Sequence, residues 1–184
     1  QRWYNYVDSS LVSLINDSKH HPVKYSTGSG NYSPHRLTTP TMGDMLLWSD
    51  SESKQISVAV DALSAIVVNG KAGVAYWAEK HKTHWTTSSA YLYTLPEWVE
   101  RYNEANSNRY YTLPRWTPIY EAKSYINDEV AVVEDVVGKS TKLLSDVNLS
   151  LANSDIGRMC YTPAGNTMLL EFASNAVAQE RLGA

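Results

Sequence analysis

Two apolar runs, Ala65-Ile66-Val67-Val68 and Val74-Ala75-Tyr76-Trp77, stand on either side of Asn69-Gly70. No other stretch of the 184-residue chain constrains its folding as strongly. An Asn-Gly pair between apolar runs signals a hairpin, because both residues tolerate the positive φ of a tight turn. The competing reading is a helix from Asp61 to Val68 capped by Asn69-Gly70. The hairpin is favoured. Upstream, Ile56, Val58 and Val60 alternate with small or polar residues, as in a strand. Downstream, His84–Leu95 is rich in Thr and Tyr and could supply another strand pair turning at Ser88-Ser89. The pattern predicts a small antiparallel sheet over about 55–95.

Helical signals flank this block. From Tyr4 to Asp17, the residues Val7, Leu11, Leu14 and Ile15 follow helical spacing, and His21-Pro22 ends the run. Residues 18–43 show no hydrophobic period and are dominated by Ser, Thr, Gly, Pro and Tyr. That length is unusual for a plain connector and marks a functional or mobile loop. From Pro96 onward the chain reads as helical. Ile126, Val130, Val133, Val137, Ser140, Leu144, Val147 and Leu151 form a heptad-like seam interrupted at Ser140. Either one long helix from Pro118 to Leu151 carries it, or two shorter ones meet near Gly138. A last helix is predicted from Pro163, capped by Thr162, to about Leu182, with Leu169, Phe172, Ala176 and Val177 inward. The fold class is therefore α+β, in one domain over 1–184: an N-terminal helix, the small antiparallel sheet, and a helical C-terminal half with one long or broken helix.

One internal repeat is present. Tyr93-Thr94-Leu95-Pro96-Glu97-Trp98 recurs as Tyr111-Thr112-Leu113-Pro114-Arg115-Trp116, and the register extends to Tyr102 and Tyr120. Pro favours extension before it and helix after it, so each copy reads as a helix-start turn. Trp and Tyr four residues apart then share a helical face. The favoured role is to pack each Trp into the core, with Trp98 the more buried and Trp116 the more exposed. The alternatives are a twin aromatic site for a repetitive glycan and an interface between subunits.

Composition narrows the function classes. Net charge is −3, which argues against nucleic-acid binding through bulk charge. Cys160 is the only cysteine, so no internal disulfide can form, and a buried inert thiol is its expected state. No uncharged apolar run approaches the ~18 residues of a membrane span. The sequons at Asn16, Asn31 and Asn148 are about as many as this composition produces, so they carry no evidence for secretion. Gln1 is either a processed N-terminus or the boundary of a segment. Thirteen Tyr and six Trp stand against one Phe, a usage suited to half-buried surfaces and interfaces.

The candidate binding residues are Lys19, His20, His21, Lys24, Tyr25, Tyr32, His35 and Arg36, in a segment with no acid between Asp17 and Asp44. Cations, aromatic faces and the Gly28-Ser29-Gly30 backbone together suit an anionic or carbohydrate ligand, with nucleic acid less favoured. Trp98, Trp116, Val130, Val137 and Leu144 are the candidate interface or assembly residues. His81 and His84 have metal-like i, i+3 spacing, but no second ligand pair lies near them in sequence, so no metal or cofactor is expected. No nucleotide-binding, nucleophile-elbow or zinc signature occurs. These features point to a non-catalytic interaction or assembly protein, self-associating or bound to a protein partner: a virion or filament subunit or a secreted binding factor. An extracellular or virion location is favoured over a cytoplasmic one. The alternative is a small hydrolase or transferase with a His-containing site in the first half.

Overall fold

Strand β4 (Val74–Ala78) is buried on both faces, and the fold is built around it. In the computed structural model, which describes residues 2–24, 30–79, 84–107, 124 and 163–183, β4 is the middle strand of a three-stranded sheet ordered β3-β4-β5. Strand β3 (Ile56–Ala59) pairs with it in parallel, Ile56 opposite Val74, and β5 (Trp85–Thr86) pairs antiparallel, Trp77 opposite Thr86. Side chains alternate across a strand, so β4 feeds two cores. Ala75 and Trp77 join Ile15, Ala62, Ala65 and Ile66 on one face. Tyr76 and Ala78 join Trp85, Trp98, Val99, Tyr102, Met168, Phe172 and Ala176 on the other. A near-continuous apolar run is what a strand covered on both sides requires.

The sheet is therefore mixed, not the antiparallel sheet expected over 55–95. A parallel pair cannot close through a two-residue turn and needs a crossover. Helix α2 (Ala62–Asn69) supplies it. Asp61 caps its start, accepting a hydrogen bond from Ser64 N–H at 2.9 Å. Gly70, at φ 79°, ends it. Asn69-Gly70 is a helix terminus, and the favoured hairpin is corrected. His84–Leu95 supplies only the short β5, followed by turns, in place of a strand pair.

The expected N-terminal helix is also absent: β1 (Arg2–Asn5) and β2 (Ser10–Ser13) form an antiparallel hairpin. Asn5 Oδ1 accepts from Val7 N–H, and Asp8 Oδ1 accepts from Ser10 N–H at 3.1 Å and Ser10 Oγ at 2.6 Å. Such local side-chain bonds stabilise a turn in competition with the helix ladder. Val7, assigned inward by the helical period, is 95% exposed at the turn.

Helix α1 (Met42–Ser49) begins at the end of the 18–43 segment with a reciprocal capping box between Thr41 and Asp44. In the C-terminal half, α3 (Glu97–Asn106) and α4 (Pro163–Glu180) are helical as expected. The first repeat copy starts α3, with Pro96 at its cap and Leu95, Trp98 and Tyr102 buried. In α4, Phe172 and Ala176 point inward with Met168, Leu169 is half-buried, and Val177 is exposed instead of inward. The seam over 126–151, the second repeat copy with Trp116, and Cys160 lie outside the described residues.

Candidate functional site

The segment 14–24 threads between two others. Asp17 N–H donates to Asn31 O, and Ser33 N–H donates to Ile15 O. On the far side Val23 N–H donates to Thr87 O, and Ser89 N–H to His21 O. These ladders place groups far apart in sequence beside each other. Ser89 Oγ lies 3.4 Å from both His20 Nδ1 and His21 Nδ1 and accepts the His21 N–H at 3.0 Å. His20 Nε2 lies 3.8 Å from Asp17 Oδ2, which accepts from Ser33 Oγ at 2.6 Å. The Ser33 hydroxyl and the Lys19 N–H hold the Asp17 carboxyl below the ordinary carboxylate range; partial burial opposes them, and His20 and His35 add to the lowering.

Asp17, His20, His21, Ser33, His35 and Ser89 thus form a cluster of one anion, two hydroxyls and three imidazoles, with Lys19 exposed at its edge. At 3.4 Å the imidazoles are too distant for a strong hydrogen bond to Ser89, whose oxygen already accepts a backbone N–H. The arrangement orients the two histidines toward one point. It does not activate a nucleophile.

The other expected binding residues do not converge there. Lys24 pairs with Glu100 at 2.6 Å, and Arg36 is drawn onto the carbonyls of Ser13 and Asn16. Tyr32 packs edge-on against Trp77, with ring centres 6.2 Å apart. Tyr25 lies outside the described residues. Trp98, a candidate interface residue, is a core side chain whose Nε1–H donates to Glu180 Oε1 at 2.7 Å. Trp116, Val130, Val137 and Leu144 lie outside the described residues, as does His81. Ser33 and Ser89 were missed by the sequence reading, and a separation of 69 positions between Ser89 and His20 leaves no local signal. Among the described residues no group of three His, Cys, Asp or Glu side chains could hold a metal ion, and no helix is long and apolar enough to cross a membrane.

No protein-family model matches the chain. Known enzymes do. The chain is 29% identical to alkaline phosphatase PhoV of Synechococcus elongatus over 97% of its own length and 34% of that protein. It is 30% identical to a calcium-transporting ATPase of Myroides odoratus, over 84% of this chain and 29% of that one. Against alkaline phosphatase PafA of Elizabethkingia meningoseptica the identity is 26%, over 98% and 34%. The crystal structure of wild-type PafA superposes on the whole chain with a TM-score of 0.88 at 25% identity, covering 36% of that enzyme. A four-site mutant of PafA gives the same score and identity, covering 37%. The chain spans about a third of the length of the relatives it matches, and its mixed α+β fold resembles that portion of PafA.

These likenesses overturn the expectation of a non-catalytic interaction or assembly protein, and with it the virion, filament and self-assembly assignments. They agree with the hydrolase alternative. The sequence reading took the absence of a compact local motif as absence of catalysis, but a site gathered from residues distant in sequence leaves no such motif.

Proposed function

We propose that this chain is a segment of a phosphate-releasing hydrolase of the alkaline phosphatase kind. What supports the reading is coverage: nearly the whole chain aligns with two enzymes of that name, and one of them superposes on it from end to end. The third relative is named for ATP-dependent transport, so the chemistry shared by the three names is transfer of a phosphoryl group to water.

Within this reading, Lys19, His20, His21 and His35 are this chain's contribution to anion recognition. His20 and His21 meet at Ser89 Oγ, His35 lies near Asp17, and Lys19, exposed next to His20 in the chain, adds a cation; donors and positive charge favour phosphate oxygens. Lys24 and Arg36 are already engaged by Glu100 and by backbone carbonyls, which makes them supports of the segment. A charge-based contact of this kind is screened by salt.

The test is inorganic phosphate release from p-nitrophenyl phosphate and from ATP by the purified polypeptide that carries this chain. Release from at least one substrate is expected. Lys19→Ala should lower kcat/KM a few-fold at low ionic strength and less at high. Absence of phosphate release from both substrates overturns the reading. Release with a Lys19→Ala variant indistinguishable at every salt concentration removes the surface cluster from it.

A further inference from the structure

Among the described residues, nothing guards the outer edge of strand β3 as natural sheet edges are guarded. Its residues run Ile56-Ser57-Val58-Ala59, with Val60 following, and contain no Lys, Pro or Gly. Edge strands are ordinarily protected by such residues, by bulges or by a covering element. Both faces of β3 are covered: Ile56 and Val58 pack toward the Phe172 core, Ala59 packs on the Trp77 side, and Ser57 Oγ donates to Ala65 O at 2.8 Å. The edge is a different matter. Val74 N–H donates to Gln55 O at 3.1 Å, which turns the peptide groups of Ser57 and Ala59 toward β4. Those of Ile56 and Val58 therefore point away from β4, and among the described residues no strand pairs with them.

The helices beside this edge carry an equally unprotected face. Helix α2 is apolar almost all round, as a fully covered helix is, yet Val68 is 67% exposed and Val67 is also exposed. On α1, Met42 is 87% exposed, with Met45 and Leu46 exposed beside it. Gln55 ties the three elements together: it opens β3, its Nε2–H donates to Asn69 O at the end of α2, and its amide lies against Gly43 of α1.

We infer that the β3 edge and the outer faces of α1 and α2 form one docking surface for the remainder of a phosphatase-length polypeptide, which adds a strand beside β3. The occupant follows from length: about two-thirds of each relative lies outside the stretch that this chain matches. An open apolar edge is the usual template for strand addition. The inference rests on the phosphatase reading for the identity of the occupant, and its test reads packing, not activity.

The measurement is hydrogen exchange at residues 56–60 in the complete polypeptide. If the edge is paired, Ile56 and Val58 amides exchange at least ~100-fold more slowly than a free chain, like Ser57 and Ala59. Fast exchange at Ile56 and Val58 alone overturns the inference. A photo-crosslinking p-benzoylphenylalanine replacing Met45 or Val68 identifies the occupant by mass spectrometry. Crosslinks to sequence beyond these 184 residues support the proposal. Crosslinks within the 184 residues or to a second copy, or none at both positions, overturn it. A protein that docks this way but releases no phosphate would sink the functional reading alone.

Discussion

The carboxylate of Asp44 and the backbone of Gly70 occupy one site in which neither tolerates a larger neighbour. Gly70 has φ 79°, and a β-carbon added there would run into Asp44 Oδ2. Asp44, only 2% exposed, binds Thr41 N–H at 2.9 Å through one oxygen and Lys71 and Ala72 N–H at 2.7 and 2.8 Å through the other. One carboxylate thus starts α1 and fixes the turn that leaves α2. Tyr91 closes the group, its hydroxyl donating to Gly70 O at 2.8 Å.

Gly70→Ala meets two costs at once. The positive φ alone is worth about 1–3 kcal/mol for a residue with a β-carbon. The collision with Asp44 adds to it, because Asp44 is held by three backbone donors and cannot swing aside. Urea unfolding should show a loss of at least ~2 kcal/mol. A change below ~0.5 kcal/mol would mean that the turn relaxes freely.

Asp44→Asn keeps the shape but replaces one accepting oxygen with an NH₂ group facing Thr41 N–H or the Lys71-Ala72 pair. The expected loss at pH 7 is about 1–3 kcal/mol. The loss should depend on pH. Burial raises the Asp44 pKa, but the bonds from Thr41, Ala72 and Lys71 outweigh it and hold the group below the ordinary carboxylate range. A folded pKa below the unfolded one gives stability that is full above the unfolded value of ~3.9 and lost as pH falls through the folded one. The gap between wild type and variant should therefore narrow from pH 5 toward pH 2. A gap constant over that range would show that the charge of Asp44 contributes nothing.

Phe172, the only phenylalanine, is fully buried among four aromatic rings. It stacks on Trp85 at 4.3 Å between centres and meets Tyr76, Trp98 and Tyr102 at 5.2–5.6 Å. Phe172→Ala is expected to cost about 3–5 kcal/mol and Phe172→Leu about 1–2. Near-ultraviolet circular dichroism of the Leu variant should weaken, since the ring that locks the others is gone. An unchanged spectrum with unchanged stability would place α4 off the sheet.

How much of this was legible in the sequence differs by element. The apolar spacing of Phe172 and Ala176 located α4, and Thr94-Leu95-Pro96 located the start of α3, because in both cases a local signal agreed with the packing. Asn69-Gly70 misled because a type I′ turn and a helix terminus both require positive φ at Gly. The deciding signal was Asp61 eight residues earlier, an N-cap placed where a strand has no use for one. At residues 2–13 the period itself was ambiguous, and the turn-forming Asn5 and Asp8 outweighed it. The Thr41-x-x-Asp44 capping box was readable and was overlooked inside a long irregular segment. The Ser89–His20–Asp17 cluster was only half visible, since its histidines were chosen but its partner hydroxyl arrives from another element.

Asn103 tests whether the short strand β5 depends on a side chain for its free edge. Its amide is fully buried and pairs with Trp85 as a neighbouring strand would: Oδ1 accepts Trp85 N–H at 2.8 Å, and Nδ2–H donates to Trp85 O at 2.9 Å. Asn103→Leu leaves both backbone groups unpaired and should cost about 2–5 kcal/mol at any pH. Asn103→Asp differs in a way that separates hydrogen bonding from packing. An ionised carboxylate can accept from Trp85 N–H but sets a second oxygen against Trp85 O, inside the protein and without a donor. The protonated acid can donate to that carbonyl and restore both bonds. The folded pKa of the introduced acid therefore lies above its unfolded value, so its penalty grows as pH rises past ~4 and shrinks on acidification. At pH 7 the expected loss is about 3–5 kcal/mol, the usual cost of an uncompensated buried charge. Near pH 4 it should fall to about 1 kcal/mol. Thermal unfolding of the two variants at both pH values checks this, with the pH 4 measurement valid even if Asn103→Asp fails to fold at pH 7. Equal losses for Asn103→Asp at pH 4 and pH 7 would show that Trp85 is held by shape and not by the amide.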